Sequence, residues 1–132
     1  MTHAGYVFTL FVASLVAAGF MTDSAAAQSK RKGKNLFEDK CTVCHTAEEG
    51  ARIKFGPNLF GVFGAEAGLR PGADDVSSDA LKESGVTWDE DTLDEWLSDL
   101  PAVMIPGVRM GFGGIPDDKD RADVIAYLKS LN

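Results

Sequence analysis

The chemistry open to this chain is concentrated in the run Cys41-Thr42-Val43-Cys44-His45. Two thiols at this spacing can add to the two vinyl groups of one haem, and the adjoining imidazole then falls beneath the iron as an axial ligand. A redox dithiol uses the same C-x-x-C spacing, but it needs a strand before the motif in a βαβ setting, and no strand pattern precedes Cys41. A structural zinc needs more ligands than two cysteines and the nearby His45 provide. The residues therefore point to one covalent haem c.

An iron bound by a single histidine wants a sixth ligand if it is to move electrons instead of binding gases. The chain has one other histidine, His3, in a leader expected to be removed, so thioethers are the remaining strong-field candidates. After the leader there are two, Met104 and Met110. Core filling is the ordinary fate of a methionine and is open to both. Met110, however, sits in Arg109-Met110-Gly111-Phe112-Gly113-Gly114, where no helix face exists to bury it. A loop methionine flanked by glycines suits a ligand approaching a flat macrocycle.

The elements that must position these groups are short. Ser29 is placed to cap a first helix reaching about Lys40, with Leu36 and Phe37 on its buried side. Ser78, then Asp79 to Ser84 and Gly85, reads as a short helix with a glycine stop. Thr87 and Glu90 have capping-box spacing, and Leu93, Trp96, Leu97 and Leu100 follow on one face up to Pro101. The stretch from Pro101 to Pro116 reads as loop. Asp117 starts a last helix, with Val124, Tyr127, Leu128 and Leu131 on its buried face. No alternating pattern proposes a sheet, so the fold class is all-α, with short helices and long loops. Loops of that length are uncommon unless something organises them, and a large apolar cofactor would complete the core. Covalent haem is accordingly expected to be required for folding.

Before the first helix, Tyr6 to Met21 carries no charge and is followed by Ala25-Ala26-Ala27. This is a secretory-signal pattern spanning 1–27, with an A-x-A site ending at Ala27, which leaves 28–132 as one small domain. The expected location is the periplasm. The apolar run is shorter than the roughly 20 residues of a membrane-spanning helix, so stable membrane insertion is not expected. No Lys or Arg precedes the run, while Lys30, Arg31, Lys32 and Lys34 follow it, an asymmetry that keeps an uncleaved anchor as the alternative. With 13 Lys+Arg against 20 Asp+Glu and a net charge of −7, the chain is unsuited to nucleic acid.

Over nearly all of 28–132 the sequence resembles class I cytochromes c, of the mitochondrial and bacterial c2 type. The segments that carry the resemblance are GKNLFEDKCTVCHT, GPNLFGVFG, WDEDTLDEWL, IPGVRMGFGG and RADVIAYLKSLN. The resemblance implies a cytochrome c fold wrapped around one covalently bound haem. It also implies a one-electron carrier, not an enzyme, that works as a monomer between larger redox proteins such as a dehydrogenase or reductase and an oxidase. The family's sixth ligand maps onto Met110, while Met104 falls where members carry an aromatic. The Pro57 carbonyl is implied as acceptor for the His45 ring N–H. Gly33 with Phe37, and Tyr127 with Leu128, map onto a crossing of the first and last helices. Trp88 matches a tryptophan that donates to a haem propionate, and Trp96 takes the place of a tyrosine. Ala65 stands where an arginine commonly helps hold a propionate, Ser77 falls near a usual propionate-binding tyrosine, and Arg70 is a candidate substitute. Leu81 and Val108 replace the usual Asn and Thr on the methionine side. Where relatives ring the haem edge with lysines, Ala102, Val103, Pro116 and Asp117 stand here, and Lys40, Lys54 and Arg109 are the bases that remain. Two rival readings stay open: a subunit dedicated to one dehydrogenase or oxidase complex, and a weak peroxidase or gas-binding protein if Met110 is labile.

Overall fold

The computed structural model describes Met1 and residues 19–132. Helices α1 (Gly19–Lys40), α2 (Asp79–Lys82), α3 (Glu90–Ser98), α4 (Pro101–Met104) and α5 (Asp118–Lys129) carry the regular structure. No strand occurs among the described residues, only an isolated antiparallel bridge between Glu66 and Thr87. The fold is all-α, as the periodicity implied.

α1 and α5 make the closest crossing. At Gly33 a β-carbon would lie 1.8 Å from the Asp123 carbonyl oxygen and 3.0 Å from Tyr127 Cβ, so only glycine lets the two backbones meet. One turn on, the rings of Phe37 and Tyr127 pack with centroids 5.3 Å apart. Asp123 is 2 % exposed. It accepts from the Ser29 hydroxyl and pairs with Lys32 at 3.3 Å and Lys119 at 3.6 Å. Although burial opposes its charge, these partners hold the Asp123 carboxyl below the usual carboxylate range.

Four expectations are corrected. Ser29 is interior to α1 and caps nothing, because the alanine-rich residues before it continue the helix, which frees its hydroxyl for Asp123. The capping box of α3 is made by Asp89 and Thr92, not Thr87 and Glu90: Asp89 accepts from the Thr92 N–H at 2.8 Å, and the Asp89 N–H donates to the Thr92 hydroxyl at 2.9 Å. Thr87 is held instead in the bridge to Glu66. Leu100 is 51 % exposed, because α3 stops at Ser98 and the residue before Pro101 is driven out of the helical region. The segment expected as pure loop contains α4, started by Pro101 at its first turn, where a missing N–H costs nothing.

The apolar run of the expected 1–27 signal lies for the most part outside the described residues. Its end does not, and α1 runs unbroken through Ala25, Ala26 and Ala27. No described helix is long and apolar enough to cross a membrane.

The core gathers Phe37, Trp88, Leu93, Trp96, Leu97, Val124 and Leu128 between α1, α3 and α5. Arg121, 7 % exposed, links α5 to α3 and to the segment before α5. Its guanidinium donates to Asp94 of α3 and to Asp118, each at 2.7 Å, and to the Ile115 carbonyl at 2.8 Å. The Ile115 N–H in turn donates to the Leu97 carbonyl at 2.7 Å.

Gly33→Ala should lower the stability of the holoprotein by about 1–3 kcal/mol or more, since the added methyl overlaps a backbone carbonyl. Denaturant unfolding followed at the Trp fluorescence checks it, and an unchanged midpoint would refute this account of the crossing.

Candidate haem-binding site

The thiol motif continues the winding of α1. The Cys41 N–H donates to the Phe37 carbonyl at 2.8 Å, and the N–H groups of Cys44 and His45 both reach the Cys41 carbonyl, at 3.0 and 2.9 Å. The Thr42 hydroxyl closes the same turn on the Glu38 carbonyl at 2.7 Å. Both cysteines are free thiols and half-buried. Burial pushes the Cys41 thiol up to about 11, against a small opposing pull from Lys40. A thiol that stays protonated at neutral pH is a poor attacking group for disulfide exchange, which argues against the dithiol reading.

His45 is 8 % exposed. Its Nδ1 lies 2.8 Å from the Pro57 carbonyl oxygen, and because a carbonyl can only accept, Nδ1 carries the proton. Nε2 is left with its lone pair, the form a metal needs. Burial moves the imidazole pKa below its ordinary value; the Pro57 bond opposes this and the Lys54 charge adds to it, so the neutral ring is favoured. Gly56 closes the other side of the ring. A β-carbon there would fall 2.4 Å from His45 Cε1 and 2.8 Å from Nδ1, so the chain can pass over the imidazole only as glycine. The Gly56 N–H donates to the Cys44 carbonyl at 2.9 Å, which ties this strap back to the motif.

These groups border a cavity of about 340 Å³. Cys41, Cys44, His45, Gly56 and Pro57 form one part of its wall, and Val108 to Phe112, including Met110, form another. Trp88, Leu93, Trp96 and Leu97 line it from the α3 side, and Val124 and Leu128 from α5. Met104 is not part of this wall; it packs half-buried against the core from α4. The indoles of Trp88 and Trp96 meet edge to face at 5.0 Å. Trp88 is fixed by its backbone, donating to the Ala65 carbonyl at 2.9 Å and accepting from the Gly64 N–H at 2.7 Å.

Cys41, Cys44, His45, Pro57, Trp88, Trp96 and Met110 therefore all reach one cavity. Arg70 also lines it, but both terminal nitrogens of its guanidinium donate to backbone carbonyls, those of Phe60 and Asn58. Leu81 and Val108 keep the methionine side apolar. Two residues with a part in the site were not found by sequence reasoning. Gly56 had a signal, a glycine directly before Pro57. Arg121 had none, since its acceptors come from α3 and from the far end of the methionine loop.

The donor set fits a covalent haem. Two thiols stand at the border of an apolar cavity, a neutral imidazole is oriented by a carbonyl, and a thioether lies in the same wall. Together with the all-α fold, this defines a c-type cytochrome. A family model for cytochrome c matches residues 31–132. A cytochrome c of Stellaria longipes is 46% identical over 99 residues, covering 75% of this chain and 89% of that protein. A cytochrome c2 of Blastochloris viridis is 41% identical over 126 residues, covering 96% of this chain and 92% of that one. A cytochrome c of Kluyveromyces lactis is 43% identical over 100 residues, 76% of this chain and 88% of the other. The chain belongs to the cytochrome c family. It carries one covalently attached haem c, and it acts as an electron carrier between redox proteins.

Gly56→Ala should displace the His45 ring and break its bond to Pro57, lowering holoprotein stability by about 1–3 kcal/mol and moving the reduction potential. Potentiometry together with thermal unfolding reads both. A variant with the parental potential and melting temperature would show that the strap does not hold the ring.

Proposed function

We propose that this chain is an exported, monomeric one-electron carrier whose haem is attached through Cys41 and Cys44 and ligated by His45 and Met110. The observation that carries the ligand assignment is the cavity wall: Met110 belongs to it and Met104 does not. Held by His45 and Met110, a haem iron would have no free ligand position to offer a substrate, and the thioether would favour Fe(II) relative to harder ligands. The buried, pre-oriented imidazole and the loop anchored through Arg121 and Ile115 leave little to rearrange when the iron changes charge. Trp88 and Trp96 support the cofactor as apolar wall, the former with one indole donor available to it.

Met110→Leu should abolish the Fe–S charge-transfer band of the ferric protein, lower the potential and admit carbon monoxide to the ferrous form. Met104→Leu should leave all three unchanged. If Met104→Leu produced these losses instead, the ligand assignment would fail, and carbon monoxide binding by the parent at neutral pH would favour a gas-binding or peroxidase role.

Export is supported by the signal pattern over 1–27. The match to the cytochrome c2 extends over 126 residues, so it takes in most of the segment ahead of Gln28, whereas the match to the Stellaria longipes protein covers only 99. Cleavage after Ala27 divides α1 and leaves Ser29 in the first turn of what remains. Intact mass of the protein recovered from the periplasm should correspond to a chain beginning at Gln28 with one haem added. A full-length mass in the membrane fraction would establish the anchored form.

The docking surface is the mouth of the cavity. Val43 and Phe55 line it and are 75 % and 87 % exposed. Lys40, paired weakly with Asp39 at 3.7 Å, Lys54, turned onto the Thr42 carbonyl, and Arg109, which makes no ion pair among the described residues, form a thin basic rim. Apolar contact is little screened by salt, while rim charges act chiefly on association rate. Electron transfer to the physiological partner should fall only modestly with added salt, and Arg109→Gln should slow association more than Lys119→Gln on α5. A steep salt dependence, or equal effects of the two substitutions, contradicts this docking surface.

A further inference from the structure

The Pro57 carbonyl that orients His45 belongs to a peptide unit with little of its own to hold it. That unit pairs the carbonyl with the Asn58 N–H, which makes no hydrogen bond among the described residues, and Pro57 has no N–H to offer. The plane of the carbonyl is therefore set by the residues that follow. The Asn58 side-chain amide donates to the Glu48 carbonyl at 2.8 Å and to the Ala51 carbonyl at 3.2 Å, and its oxygen accepts from the Phe60 N–H at 3.0 Å. The Leu59 N–H donates to the Thr46 carbonyl at 2.8 Å. These bonds use the donors of the segment and leave the Asn58 and Phe60 carbonyls to be matched.

Arg70 takes both. One terminal nitrogen donates to the Asn58 carbonyl and the other to the Phe60 carbonyl. A guanidinium is a rigid planar fork, so two oxygens bound to it are held at a fixed separation and in a fixed plane. Arg70 is half-buried in the cavity wall, and burial depresses its basicity. A desolvated cation is ordinarily matched by a carboxylate, yet the acceptors of this one are neutral main-chain oxygens. What the charge gains there is strength in two hydrogen bonds to the segment beside Pro57.

We propose that Arg70 is a positioning residue for the haem ligand: by clamping the Asn58 and Phe60 carbonyls it fixes the Pro57–Asn58 peptide, and through it the hydrogen bond that orients His45. A carbonyl that accepts from Nδ1–H makes the imidazole a stronger electron donor, which favours Fe(III). Loosening the clamp weakens that bond and should raise the reduction potential. Loss of a nearby positive charge acts in the opposite direction, because a cation beside the haem disfavours Fe(III). Arg70→Lys separates the two effects, since it keeps the charge and loses the fork.

The test compares the parent holoprotein with Arg70→Lys and Arg70→Met. In the reduced, diamagnetic protein, NMR follows solvent exchange of the His45 Nδ1–H, and potentiometry is run on the same samples. Exchange should quicken by about tenfold or more in both variants, the equivalent of one charge-assisted hydrogen bond. The potential of Arg70→Lys should rise. Variants that melt at lower temperature but keep the parental exchange rate and potential would make Arg70 a purely structural residue and overturn the proposal. Parental values in Arg70→Lys, with changes confined to Arg70→Met, also overturn it, because charge alone would then account for the residue. Should neither variant fold, the parent decides: isotope-labelled Arg70 should give separate, slowly exchanging guanidinium protons, and a signal averaged by free rotation overturns the clamp. The inference rests on His45 being an axial ligand. Failure of that reading shows separately, as His45 ring resonances without the upfield displacement of a haem-bound imidazole, and would overturn both.

Discussion

The approach of α1 to α5 at Gly33 is the contact on which the rest of the structure depends. With no β-carbon there, the Asp123 carbonyl can rest against the α1 backbone, and Phe37 and Tyr127 pack one turn further along. That geometry fixes the direction in which α1 leaves the crossing, and the thiol motif simply continues its winding. Cys41, Cys44 and His45 are therefore aimed by a helix pair, and the precision of the site derives from a backbone contact well removed from it. The buried carboxylate of Asp123, held by Ser29, Lys32 and Lys119, reinforces the same crossing from its side chain.

The two walls of the cavity are secured differently, and each method suits its task. On the histidine side the restraint is short-range: Gly56 and Pro57 clasp the ring within a dozen residues of the motif, setting both its tautomer and its tilt. On the methionine side the loop has almost no regular structure beyond α4, and it is held at its far end by Arg121, which joins it to α3 and α5. Buried, multiply bonded arginine of this kind stabilises mainly by leaving no polar group unmatched, and its removal would leave both Asp94 and the Ile115 carbonyl without a partner. Such an arrangement would suit a one-electron carrier, because groups held this firmly around a haem would keep the reorganisation small.

The exposed surface around the cavity mouth is more apolar than the overall charge of −7 would suggest. Phe55 and Val43 stand out into solvent, while acidic residues are concentrated on α3 and α5. A contact built on apolar area and a few basic groups can form and dissociate quickly, as repeated encounters require.

Much of this protein was legible in its sequence, because the signals concerned were local. The C-x-x-C-H spacing, the glycine-flanked Met110 and the short helical periodicities of Leu93, Trp96 and Leu97 or of Val124 and Leu128 all depend on residues within a few positions of one another. Where the reading of helix boundaries failed, a tertiary contact or a neighbour's backbone had prevailed over local propensity. Thr87 gave up its capping role to the bridge with Glu66, Ser29 turned its hydroxyl to Asp123, and Pro101 forced Leu100 outward. The role of Arg121 and the engagement of Arg70 with loop carbonyls were invisible beforehand for a common reason. Each depends on which acceptors distant segments bring near, or fail to bring near, and that is decided only when α1, α3 and α5 have packed. Residue types and spacing determined which ligands this chain could offer; the packed helices decided which of them share a cavity, and why Met110 belongs to its wall and Met104 does not.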